Sequence, residues 1–295
     1  MEKTMNIDNM ILGDNQFFGV NHMSEEKGRI TAEQFKDVNE IRRIMHTALE
    51  FGVTGVFLST HPAINAITDM MRNDSVIKNN ISVYVNVPYI LKYVSMVNAQ
   101  GIPSTIKTML LGQSKIENIK LCLSSLKNIV TTDFVDLANK LVDIEVKPFK
   151  GLNVKAIFLH NILCDLCLGY ELTHVIQSFD KHIKKNYHAV PAYGTINLPS
   201  FSAFLEKSGI EDALIMTAFN KKGFLMNPGI SEYEEIARNP KYTLLAMCTL
   251  ASGRIPPKEA YEYLARFDIK HFIVGLSNRE HAEETFGIIK NIIRK

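Results

Sequence analysis

Val154-Lys155-Ala156-Ile157-Phe158-Leu159-His160 is the stretch that decides the architecture. Its apolar residues run on without alternating with polar ones. That pattern suits a strand covered on both faces, as in a parallel sheet sandwiched by helices. Seven further runs of this kind punctuate the chain: Met10-Ile11-Leu12, Thr54 to Leu58, Ile81 to Val85, His188 to Ala192, Ala213 to Met216, Thr243 to Met247 and His271 to Val274.

The segments between these runs have helical periodicity. From Glu33 to Phe51, apolar residues recur at Phe35, Val38, Ile41, Met45 and Leu49, and Gly52 stands where a C-terminal cap belongs. Pro256-Pro257 opens another helix, at a position where proline costs little. Ser277-Asn278-Arg279-Glu280 reads as a capping box ahead of a stripe of Ala282, Phe286, Ile289 and Ile292. Eight strand–helix alternations in 295 residues predict an α/β fold, a single (β/α)₈ barrel domain over residues 1–295. The connection between the third and fourth strands is too long for one helix. Residues 101–151, with helical patterns around Lys115–Leu126 and Asp133–Leu141, read as a helical insertion on the barrel rim.

Composition narrows the function classes. The chain is 46% hydrophobic and 22% charged, enough apolar material for a packed core. No apolar run approaches the ~20 residues of a membrane-spanning helix. A net charge of +2 gives no overall attraction to nucleic acid or to an anionic membrane. The start, MEKTMNIDNM, lacks a secretory signal, and four cysteines (Cys122, Cys164, Cys167, Cys248) form no disulfide framework. A cytoplasmic location with reduced thiols is expected.

In this fold chemistry gathers at the C-terminal ends of the strands. Asp14, Asn15 and His22 follow the first strand, His61 the second, Asn86 ends the third, His160 and Asn161 follow the fourth, and Asn220 follows the sixth. Imidazole suits acid–base work near neutrality, so His160, His61 and Asp14 are the catalytic candidates. Asn15, His22, Asn86, Asn161 and Asn220 are the substrate-binding candidates. No His-x-His stands on the first strand, and Cys164-Asp165-Leu166-Cys167 is a lone CxxC with no second pair, so no metal site is expected. Strand beginnings such as Lys155 and Lys270 read as the structural face.

The last two strand ends carry Gly253-Arg254 and Gly275-Leu276-Ser277-Asn278-Arg279. Barrels often bind phosphate there, on glycine-exposed backbone and a helix N-terminus. Gly253, Arg254, Gly275, Ser277, Asn278 and Arg279 are therefore candidates for holding a phosphorylated small molecule or a nucleotide cofactor.

Ala260-Tyr261-Glu262-Tyr263-Leu264 and Phe272-Ile273-Val274-Gly275-Leu276-Ser277-Asn278-Arg279-Glu280-His281-Ala282-Glu283-Glu284 resemble the C-terminal part of aldo-keto reductases. The resemblance implies an oxidoreductase whose eighth strand holds the phosphates of NADPH. Ile157-Phe158-Leu159-His160 is similar to the family's fourth strand, whose terminal His polarises the substrate carbonyl. The family's catalytic Asp and Tyr belong where this chain has Ser59-Thr60-His61-Pro62-Ala63, and its Lys where Asn86 stands. The opening segment, Leu12 to His22, also resembles a group of barrel proteins that begin with an LGxNPFFG-type segment. The expected function is a barrel enzyme that binds a phosphate-bearing metabolite or a nucleotide cofactor, NADP being one candidate, with an aldo-keto-reductase-like oxidoreductase as the first reading. The alternatives are a metal-dependent hydrolase or lyase using the rim histidines, and a non-catalytic ligand-binding barrel. A homo-oligomer is compatible with all three.

Overall fold

The computed structural model describes residues 5–20, 24–90, 92–95, 98–99, 132–276 and 278–293. Eight parallel strands close into a barrel in chain order: β1 (Met10–Leu12), β2 (Gly55–Ser59), β3 (Ser82–Val87), β4 (Val154–Leu159), β5 (Val190–Thr195), β6 (Leu214–Ala218), β7 (Thr243–Met247) and β8 (His271–Val274). β8 pairs with β1 and completes the ring. The described helices are α1 (Glu25–Gln34), α2 (Val38–Glu50), α3 (Ile64–Asn73), α4 (Ser75–Asn80), α5 (Thr132–Val146), α6 (Asn161–Gly169), α7 (Thr173–Tyr187), α8 (Leu198–Lys207), α9 (Ile230–Arg238), α10 (Pro257–Leu264) and α11 (Arg279–Ile293). Among the described residues, no helix is long and apolar enough to cross a membrane.

Side chains alternate between two cores along each strand. Ile11, Phe57, Tyr84, Ala156, Phe158, Ala192, Leu214, Met216 and Leu245 fill the barrel interior. Their neighbours, among them Leu12, Val56, Val85, Val87, Ile157 and Leu159, face outward into the shell of helices. The interior is thus packed rather than open, and the strand period of two fixes which residues enter it. Gly55 makes room for this packing: a Cβ there would lie 2.9 Å from both Ile11 Cγ1 and Tyr84 Cε2. At the N-terminal end, Asp8 accepts hydrogen bonds from Tyr84 Oη (2.6 Å), Thr54 Oγ1 (2.7 Å) and Lys155 Nζ (3.0 Å). Lys155 is therefore part of a polar plug at the structural end of the barrel.

The helix expected from Glu33 begins later. Asp37 accepts a hydrogen bond from the Asn39 N–H and caps α2 at Val38, separating it from α1. Gly52, at φ +75°, ends it in the left-handed conformation anticipated from sequence. The start of the last helix also shifts. Asn278 Oδ1 accepts the His281 N–H at 2.9 Å, so Asn278 is the cap of α11 rather than Ser277, which lies outside the described residues. Of the two helical patterns in the long connection, Lys115–Leu126 lies outside the described residues. Asp133–Leu141 falls within α5, which packs against β3 and α7 and so forms part of the barrel wall.

Candidate active site at the barrel mouth

The strand period carries three polar side chains into the lumen at its C-terminal end. Ser59 is two residues beyond Phe57, Asn86 two beyond Tyr84, and His160 two beyond Phe158, and those three aromatic residues fill the interior. Ser59 and Asn86 are register partners across β2 and β3. The His160 N–H donates to the Val87 carbonyl at 2.8 Å, which seats His160 beside the end of β3.

Asp14 joins this arc from β1. Its Oδ2 accepts the Ser59 N–H at 2.6 Å, and its carbonyl accepts the Phe17 N–H, starting the 3-10 turn Asn15–Phe18. Asp14 is only 3% exposed. Burial pushes its carboxyl up to about 6, although hydrogen bonds from Ser59 oppose the shift. A carboxyl group titrating close to neutrality can exchange a proton under working conditions.

Both histidines are held in one tautomer. His61 Nδ1 accepts the Ala63 N–H (3.1 Å) and His160 Nδ1 accepts the Ile162 N–H (3.3 Å). The proton of each neutral ring therefore sits on Nε2. Burial lowers the pKa of both, so at neutral pH they act as neutral Nε2–H donors. His61 is stacked on Phe18 (ring centroids 4.1 Å apart) and meets Tyr89 edge-on at 5.0 Å. The Tyr89 N–H is anchored on Thr60 Oγ1, and its phenol pKa is raised by burial and by the charge of Asp14. Ser59 and Tyr89 belong by sequence to the polar strand ends that ring the mouth, but nothing local to either residue singles it out for a role.

α6 fixes the position of His160, its N-terminal cap. The helix approaches β5 so closely that a Cβ on Gly194 would lie 3.0 Å from the Asn161 backbone N. Asp165 ties the same helix to β5 by accepting from Thr195 Oγ1 at 2.6 Å. The two cysteines of the CxxC serve packing. Cys164 donates to the Leu159 carbonyl from a buried position, and Cys167 lines an apolar cavity between α5, α6 and α7. Among the described residues, no three metal-ligating side chains cluster.

The remaining candidates divide. Asn15 is exposed at the mouth and Asn161 is half-buried at the start of α6. Asn220 is fully buried, and its amide is taken up by its own loop: Nδ2 donates to the Phe224 carbonyl, and Oδ1 accepts the N–H groups of Lys222 and Phe224. His22 and Ser277 lie outside the described residues. At the β7 and β8 ends, Gly253 has φ +81° with open space beside it, Arg254 lies over the Phe224 ring at 5.0 Å, and Gly275 is exposed. Arg279 is turned away onto Glu50 (2.6 Å) and Glu283 (3.4 Å).

Comparison with solved structures places this architecture. A Pseudomonas aeruginosa protein assigned to the aldo-keto reductases superimposes with a TM-score of 0.61 at 13% identity, covering 99% of this chain and 100% of that one. The chain has the aldo-keto reductase fold. An aldo-keto reductase from Bacillus halodurans, in its holo form, matches at a TM-score of 0.55 and 10% identity over 96% of this chain and 86% of that one. A protein assigned as 2,5-diketo-D-gluconic acid reductase B gives 0.59 and 12% identity over 98% and 86%. No protein-family model and no curated protein matches the sequence. At these identities the likeness concerns the fold, and the chemistry has to be argued from the mouth itself.

Proposed function

We propose that this chain is an oxidoreductase that reduces a carbonyl compound with a nicotinamide dinucleotide. One observation carries the reading: His160, at the end of β4, has its Nδ1 occupied by the Ile162 N–H, which leaves the ring proton on Nε2 at the barrel end that also carries Asp14 and Asn86.

The β7 and β8 ends fit the anionic part of such a cofactor. Gly275 leaves its backbone open, and the first turn of α11 offers N–H groups that have no acceptor within the helix. Gly253, Arg254 and the Asn278 amide would complete the phosphate contacts. Arg279 is committed to Glu50 and Glu283 and is left out of the set. When bound, NADPH supplies a hydride to the carbonyl carbon and becomes NADP⁺.

The rest falls to the side chains of the mouth. His160 and His61 hold the carbonyl oxygen through Nε2–H, stabilising the negative charge that grows on it. Asp14 gives that oxygen its proton. With a pKa of about 6, roughly a tenth of its carboxyl groups are protonated at pH 7, and the proton is replaced from solvent. Phe18 and Tyr89 clamp the His61 ring in place.

The test is a fluorescence titration with NADPH, followed by NADPH oxidation in the presence of a panel of aldehydes and ketones. Saturable binding and carbonyl-dependent oxidation are the expected results. Absence of NADPH and NADH binding removes the proposal.

A further inference from the structure

Asn86 stands out in the mouth because its amide oxygen is wasted. The residue is 7% exposed, and Oδ1 is buried without a hydrogen-bond partner. An unpaired buried acceptor is destabilising, so a leucine would make a better core residue there. The amide is also aimed at the site. Asn86 follows the interior residue Tyr84 by two positions, with Val85 and Val87 facing outward on either side. Its register partners across the sheet are Ser59 on β2 and Phe158 on β4, and His160 follows Phe158 by two positions, with its N–H on the Val87 carbonyl.

From this we infer that Asn86 selects carbonyl substrates that carry a hydroxyl on the adjacent carbon, accepting the hydroxyl proton on Oδ1 while His160 donates to the carbonyl oxygen. The inference rests on the carbonyl-reductase reading of the mouth. The spacing suits it: one strand spacing of about 4.8 Å across and two residues, about 6.6 Å, along β4 separate the two backbone positions, a gap that an asparagine and a histidine side chain reaching into the same mouth can close on one small hydroxy-carbonyl ligand. The expected discrimination is large. A site built to bond a hydroxyl rejects the analogue lacking it, because the buried acceptor is then left unpaired. Asn86 is thus a specificity residue, and the proton chemistry stays with Asp14.

Hydroxyacetone and butan-2-one have the same number of heavy atoms and differ in the one hydroxyl. Their binding to the full chain, measured by protein-observed NMR titration with and without NADPH, should favour hydroxyacetone at least 10-fold. In Asn86→Leu the two should bind within about 2-fold of each other, with thermal stability kept or raised. Asn86→Ala should lose the same preference should Leu be too bulky to fold. Equal binding by the wild type, a preference retained in both variants, or no saturable binding of either ketone overturns the inference. Assays of NADPH oxidation report separately on the reductase reading. A hydroxyl preference in binding without any oxidation would sink that reading and leave the role of Asn86 in recognition standing.

Discussion

The Asp14 carboxyl, at the end of β1, accepts a 2.6 Å hydrogen bond from the backbone N–H of Ser59, at the end of β2. The bond fixes the carboxyl at the lumen edge, in a place where burial disfavours its charge. Asp14 therefore costs stability at neutral pH. Its folded pKa, about 6, lies above the ordinary 3.8. Well below pH 3.8, at about pH 2.5, the group is protonated whether the chain is folded or not, and there is no penalty. As pH rises toward 6 the unfolded chain ionises first, and the penalty grows to about 3 kcal/mol at most.

Asp14→Asn keeps an acceptor for the Ser59 N–H and removes the charge. The variant should be more stable than the wild type at pH 7.5, by up to about 3 kcal/mol, and the advantage should fall to a small fraction of that by pH 4 and vanish at about pH 2.5. Urea denaturation at these pH values measures the difference. Carbonyl reduction should fall with the same substitution, because the proton donor is gone. A gain in stability paired with a loss of activity marks a functional residue.

His160 yields a kinetic prediction. His160→Ala removes the Nε2–H donor and the cap on the Ile162 N–H together. His160→Asn keeps a capping acceptor. Both should lose about 10²–10³ in kcat, with NADPH affinity unchanged, because the interaction belongs to the oxygen that gains charge. Only the Ala variant should also lose about 1 kcal/mol of stability. Steady-state kinetics beside thermal melts of the two variants separate the effects.

Much of the barrel is legible in the chain, and the exceptions have local causes. Met10–Leu12, Val154–Leu159, Thr243–Met247 and His271–Val274 are the observed strands to the residue, because each is an apolar run with clear edges. β3 and β5 run further, to Val87 and Thr195, because Asn86, Gly194 and Thr195 interrupt the apolar pattern as the strands reach the mouth. β5 also starts later than His188, whose φ of +51° places it in the αL cap of α7. At the site, strand ends alone point to Asp14, His61, Asn86 and His160. The engagement of Arg279 by Glu50 joins residues 229 positions apart, and the clamp of Tyr89 on His61 needs the packing of two loops. Neither leaves a mark in local sequence.

Gly194 links the scaffold to the site. A Cβ at this position would sit 3.0 Å from Asn161 N and 3.3 Å from Asn161 Cα, backbone atoms that cannot swing aside. Gly194→Ala should push α6 away from β5, costing about 1–3 kcal/mol and shifting His160 with it. The drop in kcat/KM should exceed what the stability loss accounts for when both are measured well below the melting temperature. Catalysis that stays at the wild-type level in a destabilised variant would show that α6 does not set the position of His160.

The two arginines near the last strands make opposite predictions for the cofactor. Sequence alone offers Arg254 and Arg279 equally as phosphate ligands, and Arg279 opens α11. Its guanidinium is instead held by Glu50 and Glu283 and lies over the Phe51 ring at 5.6 Å. Recruiting it to phosphate would require breaking those contacts. Arg254 is exposed and lies over Phe224 next to Gly253, so a cationic side chain and an uncrowded stretch of backbone stand together after β7. Arg254→Ala should weaken NADPH binding about 10-fold, equivalent to about 1.4 kcal/mol, and should flatten its dependence on salt. Arg279→Ala should change NADPH affinity less than about 3-fold and lower the melting temperature slightly, since exposed ion pairs contribute little. Fluorescence titrations at low and high ionic strength decide between them. If Arg279 proves the stronger determinant, the phosphate lies on α11 itself, and the Glu50 contact has to open before the cofactor can bind.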